Sequence, residues 1–309
     1  MCRRRQYDAA GSLQRESLAE TAALLREHGV DGAALAAQLH IELVLTAHPT
    51  EATRRSVLDH QADVAALLDR LDDPRAGRSA RRALRDELRE VLTVWWQTEE
   101  VRRVRPRVED EVRRNLFFFE STLFDAVPAL HAELERCLGC RLDRPVLSFG
   151  SWAGGDMDGN PDVGAETVSS TLILHRQIAL QLLRERVRGL ARRFSHAAAR
   201  LPVPAELLAS IAADERELPS AEVLQRPHRR YEPLRTKLGF VEHRLANTAI
   251  RQGHEPGYGS PEELRADLEL VLSGLGSAHV AEGSLRRLLW QVDVFGFHLA
   301  SLDVRQASG

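Results

Sequence analysis

The sequence predicts a mainly α-helical α/β protein, on three observations. Apolar residues recur at helical spacing over most of its 309 residues. Three short apolar runs interrupt that spacing, and each leads into a polar cluster. Long helical stretches separate the runs, an order that suggests parallel strands joined by helical crossovers.

The first run, residues 41–46 (IELVLT), reads as a buried strand leading into His48 and Pro49. Val57, Val64, Leu67, Leu68 and Leu71 then form one helical stripe, and Leu84, Leu88, Val91, Leu92 and Trp95 another. The second strand run is residues 145–149 (PVLSF), ahead of a glycine-rich segment. Leu174, Ile178, Leu182, Leu183, Val187 and Leu190 continue the helical pattern, as do Leu234, Leu238, Val241 and Leu245. All four stripes are expected to face the core. Ser260, Pro261 and Glu263 mark a helix start: a serine cap, proline at the first helical position, and glutamate where a capping box wants it. The third strand run, residues 297–304 (FHLASLDV), leads into Arg305 and Gln306. The breaks near residues 73–74, 201–204 and 254–257 read as interhelical loops. No internal repeat or low-complexity tract is visible.

Composition narrows the function classes. Apolar residues at 43% and charged residues at 28% are those of a soluble globular chain. No run approaches about 18 apolar residues, and the basic start leads into no apolar segment. Neither a membrane partner nor a secretory signal is expected, and the protein is read as cytoplasmic. A net charge of −3 with 5% aromatics argues against nucleic acid as a partner. Lys237 is the single lysine. Genomic base composition accounts for that; a functional account needs arginines gathered at one site, as at Arg54 and Arg55. Cys137 and Cys140 have metal-ligand spacing, but no second pair accompanies them, so they read as reduced thiols near a helix end.

Three motifs carry chemistry. In the first, TAHPTEATRRS (residues 46–56), His48 stands at a strand end and can exchange a proton near neutral pH. Thr50 or Thr53 could cap the next helix, whose amino end favours anions, and Arg54 and Arg55 add positive charge. The second, FGSWAGGDMDGNP (residues 149–161), brings flexible backbone amides close to a ligand. Asp156, Asp158 and Asn160 resemble the opening of a calcium loop, but Pro161 follows and no closing glutamate is placed for one. A tight turn held by Asx bonds needs the same residues. In the third, FGFHLASLDVRQ (residues 295–306), Arg305 would project from a strand end toward a phosphate or carboxylate. Asp303 either orients Arg305 or pairs with it structurally.

In this order the three motifs resemble signature segments of phosphoenolpyruvate carboxylases, as do residues 96–103 and 231–235. The resemblance implies a partial (β/α)8 TIM-type barrel, its first three strands carrying long helical insertions. Residues 1–309 would be an incomplete amino-terminal part of that single barrel domain. It implies carboxylation of phosphoenolpyruvate with bicarbonate, through carboxyphosphate and enolpyruvate, to oxaloacetate and phosphate. Mg2+ or Mn2+ is the implied cofactor, with ligands outside this chain, and a homo-oligomer is the implied assembly. By motif, His48 matches the catalytic histidine. Arg305 matches a substrate-binding arginine, Arg54 and Arg55 match anion-binding positions, and Gly154, Gly155 and Asp156 match a segment lining the active site. Met157 stands where the family usually carries arginine. With three strands uncovered, the chain is expected to be oligomeric or aggregation-prone, and inactive by itself.

Overall fold

The computed structural model describes residues 16–46, 54–99, 107–158, 160–200, 202–250, 255–277 and 280–306. Two helices, α1 (Leu18–Glu27) and α2 (Gly32–Gln38), lead into β1 (Ile41–Leu45). Next come α3 (Arg55–Leu71) and α4 (Arg78–Gln97), which pack on each other. Helix α5 (Val108–Phe118) passes through a π turn (Phe119–Leu123) into α6 (Phe124–Leu138) and then β2 (Leu147–Ser151). The second crossover holds α7 (Ala165–Arg193), α8 (Ala205–Glu217), α9 (Pro233–Ala249), α10 (Pro261–Ser273) and α11 (Arg286–Phe295), and ends in β3 (Ser301–Leu302).

The three strands form one parallel sheet in the order β1-β2-β3. Ile41 is opposite Leu147, Leu45 opposite Ser151, and Ser151 opposite Leu302. The expected parallel strands with helical crossovers are therefore present. Three strands do not close a barrel, and the structure establishes a small parallel sheet in a mainly helical protein.

Helices on one face of β2 supply the core. Phe149 meets Phe119 edge-on at 5.3 Å and stacks with Phe295 at 5.5 Å, while Phe295 stacks with Phe124 at 5.2 Å. Pro128 lies inside α6 and cannot donate to the Phe124 carbonyl one turn back. The buried Gln291 amide of α11 supplies that bond at 2.7 Å, so the proline fastens two helices together. Leu234, Leu238, Val241 and Leu245 are all buried on α9, as their spacing predicts. Leu182, Leu183, Val187 and Leu190 are buried on α7, with Leu174 and Ile178 partly covered.

Other expectations need correction. On α4 Leu84 alone is buried, and Leu92 is 44% exposed, because the α3–α4 hairpin packs chiefly on itself. Leu68 of α3 is exposed for the same reason. The first strand is not buried either: Ile41, Leu43 and Val44 are 39–46% exposed, since β1 is an edge strand. The second strand is shifted two residues toward the glycines. The third shrinks to Ser301–Leu302, because Gly296 (φ +48°) and Leu299 (φ +64°) turn the chain before it. Ser260 is the cap residue of α10, yet its side chain makes no capping bond, and the Glu263 carboxylate accepts from Gly259 N–H instead. Cys137 lies in the last turn of α6, followed by left-handed Gly139 and Cys140; both thiols are free.

Candidate functional site

The carboxyl ends of β2 and β3 are stitched together by backbone. Asp303 N–H donates to Ser151 O at 2.9 Å, Arg305 N–H to Gly155 O at 3.1 Å, and Met157 N–H to Arg305 O at 2.8 Å. The second and third motifs thus form one unit. Two glycines make it possible. Gly154 has φ +83°, and a Cβ there would lie 2.1 Å from Thr171 Oγ1. A Cβ on Gly155 would lie 2.4 Å from the Asp303 carbonyl oxygen. The acidic loop is a pair of Asx turns: Asp156 Oδ1 accepts from Asp158 N–H at 3.2 Å, and Asn160 Oδ1 from Asp162 N–H at 3.1 Å.

Arg305 is held on several sides. Its guanidinium lies over the Trp152 ring, 4.2 Å from the centroid, and Nη1 is 3.6 Å from Asp156 Oδ2. Its side chain remains 42% exposed, enough to leave donors open to a ligand. Asp303 does not pair with Arg305 directly. Its Oδ2 accepts from Trp152 Nε1 at 3.1 Å, and among the described residues the ion pair of Arg305 is with Asp156. Sequence reasoning gave Trp152 no role. A tryptophan wedged between a strand end and two glycines was the available signal.

The turn ahead of β3 is anchored by His175 of α7, whose Nδ1 donates to His298 O at 2.9 Å. Burial pushes the His175 imidazole below its usual pKa, so the ring is neutral with Nδ1 as donor.

His48, Thr50 and Thr53 lie outside the described residues. The helix after them starts at Arg55: Arg54 is the cap residue of α3 and makes no side-chain capping bond. Arg54 Nη1 donates to Glu99 O at 2.6 Å. Arg55 bonds Asp59 at 3.0 Å and Glu120 at 3.2 Å and lies over Phe117 at 4.4 Å. An anion reaching either arginine would exchange with these protein partners. Among the described residues, no group of three or more His, Cys, Asp or Glu is gathered to hold a metal ion, so the residues on view do not fit the implied cation.

An α/β protein with its polar motifs at the carboxyl edge of a parallel sheet has the arrangement in which such folds bind ligands. The comparisons make this specific. The family model described as phosphoenolpyruvate carboxylase matches residues 1–309, and the chain belongs to that family. The phosphoenolpyruvate carboxylase of Xanthomonas euvesicatoria pv. vesicatoria is 37% identical over 99% of this chain and 35% of its own length. Those of Rhodopseudomonas palustris strain BisB5 and Synechococcus sp. strain WH7803 are 36% and 35% identical, covering 97% and 88% of this chain and 34% and 30% of their own. The chain therefore spans about a third of the length of the curated relatives it matches. No described helix is long and apolar enough to cross a membrane.

Proposed function

We propose that this chain supplies the phosphate-binding part of a phosphoenolpyruvate carboxylase site, with Arg305 as the substrate-binding residue. The supporting observation is the placement of Arg305, open to solvent at a strand end, above Trp152 and bonded through its backbone to Gly155 and Met157 of the glycine loop. In the proposed reaction, the phosphoryl group of phosphoenolpyruvate passes to bicarbonate, giving carboxyphosphate and the enolate of pyruvate. Carboxyl transfer to the enolate then yields oxaloacetate and phosphate. Such a path concentrates negative charge, which positioned cations and amides stabilise most. Arg305 can give a phosphate two parallel N–H bonds, and His48 would act on carboxyphosphate. Arg54, Arg55, Gly154, Gly155 and Asp156 would line the anion path. Mg2+ or Mn2+ would supply Lewis acidity toward the enolate. Residues 1–309 are read as one part of a single barrel domain, in a cytoplasmic homo-oligomer.

A second reading is a catalytically silent anion-binding protein, since an exposed Arg305 guanidinium over Trp152 can bind an anion whether or not turnover follows. Titration of the chain with phosphoenolpyruvate tests the first claim. Saturable binding lost in Arg305→Ala is expected, and absence of binding overturns it. A parallel assay for oxaloacetate with bicarbonate and Mg2+ separates the readings. Turnover that His48→Asn abolishes would exclude the silent one.

A further inference from the structure

We propose that Asp303 is a positioning residue for Arg305 and acts through Trp152. The inference rests on the reading of Arg305 as the phosphate-binding group and names what sets its geometry.

Asp303 and Arg305 are two residues apart just beyond β3, and their side chains reach the same neighbour. That neighbour is Trp152, which meets both. The Asp303 carboxylate takes the indole edge, through Nε1 at 3.1 Å, and the Arg305 guanidinium takes the ring face, at 4.2 Å. A cation is attracted to an indole only over its face, so rotation of the ring about its side-chain bonds would remove the attraction. The bond to Nε1 prevents that rotation. It is charge-assisted, and therefore stronger than a neutral one.

Asp303 is itself well fixed for this task. Its N–H donates to Ser151 O, and its carbonyl packs against Gly155 so closely that no Cβ fits there. The backbone around Arg305 is bonded to Gly155 and Met157, and among the described residues its long side chain is held by the ring and Asp156. Asp156 is a competitor for the site, because its negative charge occupies the guanidinium a phosphate would use. The ring holds the cation without neutralising it. Asp303 thus fixes the uncharged support of Arg305, and Asp156 is its exchangeable counter-ion.

The test uses the whole chain and two readouts. The first is the NMR signal of Arg305 Nε–H, assigned by its loss in Arg305→Lys. Ring current from Trp152 displaces it upfield in the unsubstituted protein. Asp303→Asn keeps an acceptor for the indole and should keep the displacement; Asp303→Ala should lose it, together with the downfield position of the Trp152 indole proton. The second readout is inorganic phosphate titration. Asp303→Ala is expected to bind about tenfold more weakly, and Asp303→Asn within about twofold of the parent. An Arg305 signal unmoved by Asp303→Ala overturns the inference. So does tighter phosphate binding in both variants, which would mark Asp303 as a simple electrostatic opponent. A parent protein whose displaced Arg305 signal ignores phosphate instead defeats the functional reading and leaves the positioning result to stand on the first readout.

Discussion

His131 Nε2 accepts the backbone N–H of Val146 at 3.1 Å, while Nδ1 of the same ring donates to Val127 O at 2.9 Å. The ring is fully buried and stacks on Trp290 at 4.6 Å. It ties α6 to the residue that leads into β2, and it can do so only when neutral. Protonation would set an N–H against the N–H of Val146.

Acid should therefore weaken the fold well before the carboxylates titrate. Burial lowers the pKa of His131 in the folded state, and it lowers those of His175 and His298 too. Above the ordinary imidazole value of about 6.5, these rings are neutral folded and unfolded, and their contribution is whole. Below that value the unfolded chain binds protons that the folded chain refuses, so stability falls as pH drops toward the lowered values. Thermal melts between pH 7.5 and 5 should show a falling midpoint, with a shallower slope in His131→Leu. That variant should also lose about 1–3 kcal/mol by orphaning the Val146 N–H. A midpoint flat across this range refutes the account.

Lys237 is buried, and its ammonium bonds Asp214 Oδ2 at 2.7 Å, Asp267 Oδ1 at 2.6 Å and Ser210 Oγ at 2.7 Å. This joins α8, α9 and α10. Lys237→Met removes one partner of a buried charge network and should cost about 3–5 kcal/mol in denaturant unfolding. Because it is the chain's single lysine, amine-reactive reagents should leave the native side chain unlabelled and modify it after unfolding. Fast labelling of the native protein would contradict the burial.

Much of this was legible beforehand, and the failures have physical reasons. The α9 stripe was readable because Leu234, Leu238, Val241 and Leu245 are buried by neighbours within the described fold. The α4 stripe misled because an apolar spacing states that a face wants cover without naming what covers it; Leu92 remains exposed. The three motifs located strand ends because glycine, proline and polar clusters break period. They could not reveal that Asp303 bonds Trp152 while Asp156 pairs with Arg305, since the β2–β3 register alone decides which of the two acids meets which partner.

Gly155→Ala should separate the two motifs. Its Cβ would press on the backbone oxygen of Asp303, which has no flexible side chain to yield. The Arg305 N–H to Gly155 O bond would lengthen or break as the strands part. A loss of about 1–3 kcal/mol is expected from overpacking, together with weaker phosphate binding. Unchanged binding would show that the anion site does not depend on this close approach.

The β1 edge should make the chain self-associate. Ile41, Leu43 and Val44 are half exposed, and no described strand pairs with the outer edge of β1. Unpaired apolar edges are templates for further strands. Light scattering should show concentration-dependent association, reduced in Leu43→Lys with little change in melting temperature. A parent chain that stays monomeric at high concentration counts against this.

Asp156 and Arg305 give the last prediction. The pair is 3.6 Å apart and partly solvated, so its own contribution to stability should be about 0–1 kcal/mol. Asp156→Asn should leave the melting temperature nearly unchanged. It frees the guanidinium for a ligand and should tighten phosphate binding by up to about fivefold at low salt, which is that same energy expressed as affinity. The gain should shrink as ionic strength rises and screens the partly solvated carboxylate. Weaker binding in Asp156→Asn would mean the carboxylate orients Arg305 more than it competes for it. The two roles separate cleanly, because competition is relieved by the amide while orientation through a charged pair is lost.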